Sequence, residues 1–233
     1  MASPRRPGPL AALAGVLAVF VLDAALLALG FGGVAPMVRD PRALALLALW
    51  SATNLVLAAW RPVHGQDVTE SDRDPLAMVT LLAIPLVTPA VSALGARAAL
   101  WTLPRANTLS WAGVGLVAAG LAVRAAAMRQ LGRRFAPVPA LQRGHALETR
   151  GLYAFVRHPG YLGALLACLG ASVAFGSALA LPLPALMLAA QLARVRREEA
   201  LLARHFGAQW TAYAARTGAL LPRIGRAAGR KVG

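Results

Sequence analysis

The sequence predicts an all-α protein, built as a bundle of helices that cross a membrane several times. Three observations carry this prediction. Hydrophobic residues make up 58% of the chain, charged residues only 14%, and the mean hydropathy is +0.59. Several uncharged runs are long enough to cross a hydrocarbon core of about 30 Å. The basic residues lie between and after these runs, which argues against a soluble protein, and the abundant apolar surface excludes a disordered one.

Four apolar runs predict the first four spans. They are Leu10–Leu29 (interrupted by Asp23), Ala43–Trp60, Leu76–Ala96 (containing Pro85 and Pro89) and Leu109–Val123.

A fifth uncharged run, Pro159–Ala193, is too long for one crossing, because as a single helix it would extend roughly 50 Å. Phe175-Gly176-Ser177 offers a turn in its middle, and Pro182 and Pro184 interrupt the helical pattern beyond that turn. We therefore predict a C-terminal helical hairpin and about five to six membrane segments. Whether the hairpin crosses the membrane fully or only dips into it stays open.

The distribution of charge predicts the orientation. With the N-terminus in the cytoplasm and the hairpin counted as two crossings, most of the 24 basic residues fall on the cytoplasmic side. This favours an integral protein of a bacterial inner membrane, with its first apolar run as a span rather than a secretory signal. The net charge of +15 could also indicate nucleic acid, but zinc-finger spacing and aromatic–basic interleaving are absent from the sequence, so no nucleic-acid partner is expected.

Three further features bear on function. The single cysteine, Cys168, excludes an intramolecular disulfide and a cysteine-based zinc site, and no metal is predicted. Asp23, an acid inside an apolar span, and the acidic loop 67–74 have roles that the sequence leaves open.

Two polar segments flank the hairpin, a connector from Arg124 to Pro159 and a tail from Arg194 onward. The first part of the connector continues the fourth span as a helix to Gly132. At its other end, Arg157-His158-Pro159 is typical of a helix that begins at Pro159, whose exposed N–H groups attract an anion.

The tail predicts a helix that ends at Gly207. Its adjacent acids Glu198 and Glu199 point about 100° apart. One can face a site squarely, which leaves the other to pair with Arg194, Arg196 or Arg197.

The connector and the tail resemble the isoprenylcysteine carboxyl methyltransferase family, which is related to the phospholipid N-methyltransferases. The connector carries His145-x-Leu147, Gly151-x-Tyr153 and Arg157-His158-Pro159-x-Tyr161-x-Gly163, preceded by Arg124 and Leu131-Gly132. The tail carries Glu198-Glu199-x-x-Leu202, Phe206-Gly207, Tyr213-x-x-Arg216 and Pro222. The match extends over roughly Gly113–Pro222. It departs from the family at Leu152, where a proline is frequent, and at Trp210, where a tyrosine is common.

This resemblance implies an integral membrane methyltransferase that uses S-adenosylmethionine and acts on a lipophilic acceptor. It divides the chain into N-terminal spans (1–108), a catalytic region (109–222) and a basic tail (223–233). A membrane reductase that uses a nicotinamide dinucleotide, and a non-catalytic membrane module, remain alternatives. The acceptor group, whether carboxylate, amine, thiol or hydroxyl, stays open.

The resemblance also implies the site residues. The expected cofactor-binding residues are His145, Leu147, Gly151, Tyr153, Arg157, His158, Pro159, Tyr161, Glu198 and Glu199, and the expected catalytic residues are Arg216 and Glu199. The chemistry of the cofactor fits them: its ammonium suits the glutamates, its carboxylate suits Arg157, His158 and the helix start, and its adenine suits an apolar or aromatic wall. Arg216 would hold an anionic acceptor or help to close the site.

Overall fold

The structure, a computed structural model, describes residues 9–59, 68–71, 75–104, 107–132, 140–142 and 146–223. Within these ranges the chain forms eight α-helices, and four of them follow the first four predicted spans. These are α1 (Pro9–Phe31), α3 (Pro41–Ala59), α4 (Pro75–Arg97) and α5 (Asn107–Leu131), with the short α2 (Val34–Arg39) between α1 and α3. Pro85 and Pro89 lie inside α4, and α5 continues past the fourth apolar run to Leu131, as predicted.

The remaining helices build the C-terminal half. They are α6 (Pro159–Val173), α7 (Pro182–Phe206) and α8 (Ala208–Arg216), preceded by a 3-10 turn at Gly151–Ala154. The fold is the predicted all-α membrane bundle. One small addition was not predicted: β1 (Val68–Ser71) pairs antiparallel with β2 (Ala140–Gln142), which joins the α3–α4 connection to the connector.

Three of the described helices contain segments long and apolar enough to cross a membrane: Leu13–Phe31, Val79–Arg97 and Asn107–Leu131. The helix α6 is also apolar but shorter. Large apolar side chains of α1 point away from the protein, with Leu17 54% and Leu29 71% exposed. In water such exposure would be costly, whereas in lipid it is expected.

The predicted hairpin is present. Its first helix, α6, ends at Val173, and the chain turns through Gly176, which has a φ of 79°. The second helix, α7, begins at Pro182 and runs on beyond the apolar segment as far as Phe206. Gly207 follows its last residue with a φ of 50°, a positive value that glycine adopts without strain. The acids Glu198 and Glu199 therefore lie on the same helix that returns from the membrane.

Close contact between α5 and α6 positions the two ends of the connector. A Cβ atom added to Gly163 would lie only 2.5 Å from the carbonyl oxygen of Gly120 and 2.7 Å from the amide nitrogen of Arg124. The backbones can approach this closely because neither glycine carries a side chain. As a result, Arg124 Nη1 reaches the carbonyl oxygen of Gly160, at 3.2 Å, in the first turn of α6.

Two residues of interest in the sequence lie in the membrane part of the bundle. Cys168 is fully buried and its Sγ lies 3.2 Å from the hydroxyl of Thr88. Asp23 lines a small, partly open cavity between α1, α3 and α4, together with Leu46, Trp50 and Pro89. That cavity lies away from the membrane face where the connector and the tail meet.

Candidate active site

The connector and the tail meet immediately before α6. The amide of Arg157 donates to the carbonyl oxygen of Gly218 at 2.8 Å, and the amide of His158 donates to that of Ala219 at 3.0 Å. These bonds bring the chain after α8 back alongside the connector. The motif residues of both segments are thereby gathered at one end of the helix bundle.

Arg157 joins three parts of this region. Its Nε donates to Glu199 Oε1 at 2.8 Å and its Nη2 to Glu199 Oε2 at 3.2 Å, which is the two-point geometry of strong arginine–carboxylate pairs. Its Nη1 donates to the carbonyl oxygens of Ala214, at 3.1 Å, and of Thr217. Its guanidinium carbon also lies 5.9 Å from the centre of the Trp210 ring. Arg157 therefore links the connector to α7 and to the end of α8.

Glu199 has a second partner in the connector. His158 Nε2 lies 3.1 Å from Glu199 Oε1. Burial by itself would raise the pKa of the Glu199 carboxyl, but the hydrogen bonds from His158 and Arg157 and the electrostatic attraction of both residues outweigh it and lower the pKa to about 2. Glu199 is therefore ionised at neutral pH, and it pairs with the connector rather than with an arginine of its own helix.

Glu198 lies in a different environment from its neighbour. Tyr161 donates its hydroxyl hydrogen to Glu198 Oε2 at 2.9 Å, and the same hydroxyl accepts a hydrogen bond from Arg194 Nε at 2.6 Å. The Tyr161 ring stacks on the His158 ring, with centroids 5.5 Å apart. Both glutamates thus face the start of α6, and their partners differ.

Two arginines lie beneath this cluster. Arg194 is 5% exposed, and its guanidinium carbon lies 5.7 Å from the centre of the Tyr161 ring. Arg124 is half-buried and close enough to Arg194 and Tyr161 to interact with them electrostatically. The sequence predicted neither of them as a site residue. The signal for Arg194 was its position one helical turn before Glu198, which places both side chains on one face of α7.

Gln191 lies one turn further into the membrane on the same face of α7. It is fully buried, and its Nε2 donates to the carbonyl oxygen of Tyr161 at 3.2 Å. Its Oε1 has no hydrogen-bond partner within the described part of the chain. The sequence did not single out Gln191, since a lone glutamine in an apolar run carries no motif.

The 3-10 turn is held against α5 by Gln130, another residue that the sequence did not single out. Gln130 Nε2 donates to the carbonyl oxygen of Arg150 at 2.5 Å, and its Oε1 accepts from the amide of Leu152 at 3.2 Å. Gly151 between them has a φ of 53°, and a Cβ atom there would lie 2.6 Å from Gln130 Oε1. A glycine is favoured at this position chiefly because of its positive φ, and any side chain there would also displace the end of the Gln130 side chain.

Tyr153 belongs to the packing of this turn. It is 8% exposed, its hydroxyl lies 3.4 Å from the carbonyl oxygen of Ala127, and its own carbonyl oxygen accepts a 2.7 Å hydrogen bond from the Tyr213 hydroxyl. Burial raises the pKa of Tyr213 to about 12, against the opposing influence of nearby arginines, so this hydroxyl keeps its proton. Leu147 is half-buried on the chain leading into the turn.

Fewer backbone N–H groups at the start of α6 remain available to an anion than the sequence predicted. Pro159 has no N–H, and the amides of Tyr161 and Leu162 both donate to the carbonyl oxygen of His158 at 3.1 Å. In this described turn, the amide of Gly160 is what remains for a ligand. His145 lies outside the described residues.

Arg216 does not join the cluster of connector and tail side chains. It is exposed, at the last position of α8, with its guanidinium carbon 6.0 Å from the centre of the Tyr213 ring.

Comparison with known proteins agrees with the sequence motifs. Residues 108–209 match the family described as phospholipid methyltransferase. A curated relative from Schizosaccharomyces pombe (strain 972 / ATCC 24843), protein-S-isoprenylcysteine O-methyltransferase, is 33% identical over 114 residues. That alignment covers 48% of this chain and 48% of the relative, so the chain spans about half the length of the curated relative it matches.

A solved structure shares the fold. It is that of the eukaryotic intramembrane Ras methyltransferase, isoprenylcysteine carboxyl methyltransferase, without a monobody, and it matches with a TM-score of 0.56 at 21% identity. The match covers 91% of this chain and 75% of that one. Fold and motifs together define a polytopic membrane protein with a phospholipid methyltransferase region. Within that class, the chain resembles isoprenylcysteine carboxyl methyltransferases in its motifs and in its fold.

Proposed function

We propose that this protein is an S-adenosylmethionine-dependent methyltransferase that esterifies a carboxylate on a lipophilic acceptor. The observation that carries the proposal is the convergence of Glu198, Tyr161, Arg194 and Arg124 where α5, α6 and α7 meet the connector. This convergence falls within the family-matched region. The family resemblance supplies the reaction class, and the buried side chains supply the argument for its substrates.

Glu198 fits the cofactor's ammonium group. Its carboxylate accepts a hydrogen bond from Tyr161 through one oxygen, Oε2. Ammonium groups bind carboxylates through charge-assisted hydrogen bonds, and the partly buried position strengthens them. Glu199, predicted both to bind the cofactor and to act in catalysis, is already bound by Arg157 and His158. We propose that it acts by orienting His158 and the start of α6.

Two neighbouring arginines favour an anionic acceptor. Arg194 is buried, Arg124 is half-buried, and the two lie close enough for their positive charges to repel each other. Both charges would attract a carboxylate nearby, while a protonated amine would add a third positive charge. This is the reason for choosing the carboxylate among the four acceptor groups that the sequence left open.

A carboxylate acceptor also suits the chemistry available. S-adenosylmethionine supplies an activated methyl group when it is bound. A carboxylate oxygen is a nucleophile without losing a proton, so the chain need not provide a general base. The residues must hold the acceptor carboxylate in line with the methyl group that it attacks, and they must exclude water from the site. The exposed Arg216, expected to hold the acceptor or to close the site, would then act only by closing over it.

The alternatives are less well supported. Neither the family match nor the relatives favour a membrane reductase or a non-catalytic module. The remaining expectations are part of the proposal: residues 109–222 form the catalytic region, and the positive-inside pattern supports a site at the cytoplasmic face of a bacterial inner membrane.

The test uses the full chain in lipid nanodiscs. Binding of S-adenosylmethionine is measured by calorimetry for wild type, Glu198→Gln and Asp40→Asn. The last variant removes one negative charge at the opposite membrane face, where Asp40 pairs with Arg42. We expect Glu198→Gln to weaken binding at least tenfold and Asp40→Asn to leave it unchanged. Equal binding by all three proteins would contradict the assignment of Glu198.

The acceptor is tested with N-acetyl-S-farnesyl-cysteine and methyl-labelled S-adenosylmethionine. A methyl ester releases its label as methanol in base, whereas a methylated amine or thiol keeps it. Base-labile label supports a carboxylate acceptor. Base-stable label points to another acceptor group, and no transfer despite cofactor binding argues against this acceptor class.

A further inference from the structure

The loop between α4 and α5 presents two large apolar side chains away from the protein. Leu100 is 48% exposed and Trp101 is 62% exposed. Both flanking helices contain segments long and apolar enough to cross a membrane, so the loop between them lies at one membrane face. Leu94 near the end of α4 and Leu109 near the start of α5 are exposed as well. The apolar surface of the two spans therefore extends to the loop, where contact with water would be costly.

The backbone of this loop is strained and firmly held. Ala99 and Trp101 have φ values of 53° and 47°, which is the left-handed conformation that disfavours residues with a side chain. The carbonyl oxygen of Trp101 accepts a 2.8 Å hydrogen bond from the amide of Ala178, and that of Leu100 accepts one of 2.8 Å from the Ser177 hydroxyl. These bonds fix the loop against the turn of the C-terminal hairpin while both apolar side chains remain outside.

The hairpin connects this loop to the candidate active site. Its first helix, α6, begins beside the site at Pro159 and ends at Val173, just before the turn that the loop holds. The 15 residues of α6 extend roughly 22 Å, whereas the hydrocarbon core is about 30 Å thick. A helix of this length that is held at one interface does not reach the other. The depth of the loop in the bilayer therefore determines how deep His158 and Tyr161 lie.

We propose that Leu100 and Trp101 bind the interfacial layer of the bilayer at the face opposite the site, and thereby set the depth at which α6 begins. The ligand is the glycerol and acyl-carbonyl zone of phospholipids, where tryptophan is enriched because its ring is apolar and its N–H donates a hydrogen bond. Strained backbone persists where the surrounding structure enforces it, and here it points the ring outward. The inference goes beyond the proposed function, since it concerns a lipid contact rather than the reaction.

The first test locates the loop with a fluorescent label. Cys168 is fully buried, so a single engineered cysteine can be labelled selectively, and protein without that cysteine serves as the blank. Leu100→Cys carries a nitrobenzoxadiazole group in phosphatidylcholine nanodiscs. Quenching is measured with a lipid that carries a nitroxide near its headgroup and with iodide in the water. Gln209→Cys, on the exposed surface of α8, is the control.

We expect the lipid nitroxide to quench the label at position 100 and iodide to quench the label at position 209. Stronger quenching by iodide than by lipid at position 100 would place the loop in water and overturn the proposal.

The second test removes the tryptophan. Trp101→Gly abolishes the ring and the strained φ together, so we expect thermal stability to be unchanged or higher and lipid quenching at position 100 to fall about twofold. Ala99→Gly is the matched control, because it relieves the same kind of strain and keeps the ring, and it should leave quenching unchanged. A marked loss of stability in Trp101→Gly would show that the ring packs within the protein, and unchanged quenching would show that it is not an anchor.

The third test measures depth at the site end of α6. Phe155 is exposed and lies four residues before that helix, so Phe155→Cys carries the label. In nanodiscs whose acyl chains lengthen from about 14 to about 22 carbons, the anchored protein should draw this label away from water and lower iodide quenching about twofold. Trp101→Gly should weaken this dependence. Quenching at position 155 that is independent of chain length would overturn the link between the anchor and the depth of the site.

Discussion

Arg157 and Glu199 form a two-point ion pair across 42 positions of sequence, with Nε–Oε1 and Nη2–Oε2 distances of 2.8 and 3.2 Å. The pair joins the arginine of the Arg157-His158-Pro159 motif to the second glutamate of the Glu198-Glu199 motif in α7. Both side chains are mostly buried, at 9% and 23% exposure. Two elements of the family motif that are far apart in sequence therefore hold each other in place, and Arg157 also binds the end of α8.

Removing Arg157 should destabilise the protein more than removing an exposed arginine of α7. Arg157→Gln leaves Glu199 with only His158 and frees two carbonyl oxygens, so we expect a loss of about 2–4 kcal/mol in unfolding free energy. Arg196→Gln, on the exposed face of α7, should change it by less than about 0.5 kcal/mol. Thermal unfolding of both variants in the same detergent measures the difference, and similar midpoints would contradict a structural role for Arg157.

The depressed pKa of Glu199 predicts how stability depends on pH. A carboxyl with a lowered folded-state pKa stabilises the protein above its usual pKa of 4.5, and this contribution fades as the pH falls toward about 2. The stability advantage of wild type over Glu199→Gln should therefore be complete above about pH 5 and shrink between pH 4.5 and about 2. Unfolding followed across that range checks this. An advantage that stays constant over the whole range would show that the ionised carboxylate does not contribute.

Replacing Gly151 should destabilise the protein. Gly151→Ala places a Cβ atom 2.6 Å from Gln130 Oε1 at a φ of 53°, which should cost about 1–3 kcal/mol. Combining it with Gln130→Ala removes the clash but keeps the unfavourable backbone conformation, so stability should not recover fully. Gly115→Ala, a helical glycine with open space around it, serves as the control and should be neutral or stabilising. The three variants are compared by thermal unfolding, and a Gly151→Ala protein as stable as wild type would refute the account of this turn.

Tyr161 should matter for ligand binding through its hydroxyl. Tyr161→Phe keeps the ring stacked on His158 but removes the group that links Glu198 to Arg194. We expect S-adenosylmethionine to bind about three- to tenfold more weakly, with a small loss of stability. Tyr213→Phe, which also removes a buried hydroxyl bond, should lower stability without this effect on binding. The converse pattern in calorimetry would move the cofactor site toward α8.

Much of this architecture follows from the sequence because a membrane strongly restricts the backbone conformations that can span it. Backbone groups in lipid must be bonded within their own segment, so each long apolar run becomes a helix, and the bounds of α1, α3, α4 and α5 lie close to the predicted runs. Local signals also sufficed for the start of α6 at Pro159 and the end of α7 at Gly207. The pairing of β1 with β2 was missed because strands of three and four residues have no periodicity to detect.

The sequence by itself determined the helices, the hairpin and, through its motifs, the family that the chain resembles. Only the tertiary structure decided which motif residues meet. Neighbouring glutamates acquire different partners because a helix turns about 100° per residue, so Glu199 meets Arg157 and His158 while Glu198 meets Tyr161. The burial of Arg194 and Gln191, and the approach of Arg124 to them, depend on how closely α5, α6 and α7 pack. That distance is set by contacts between residues remote in sequence, which local patterns do not encode.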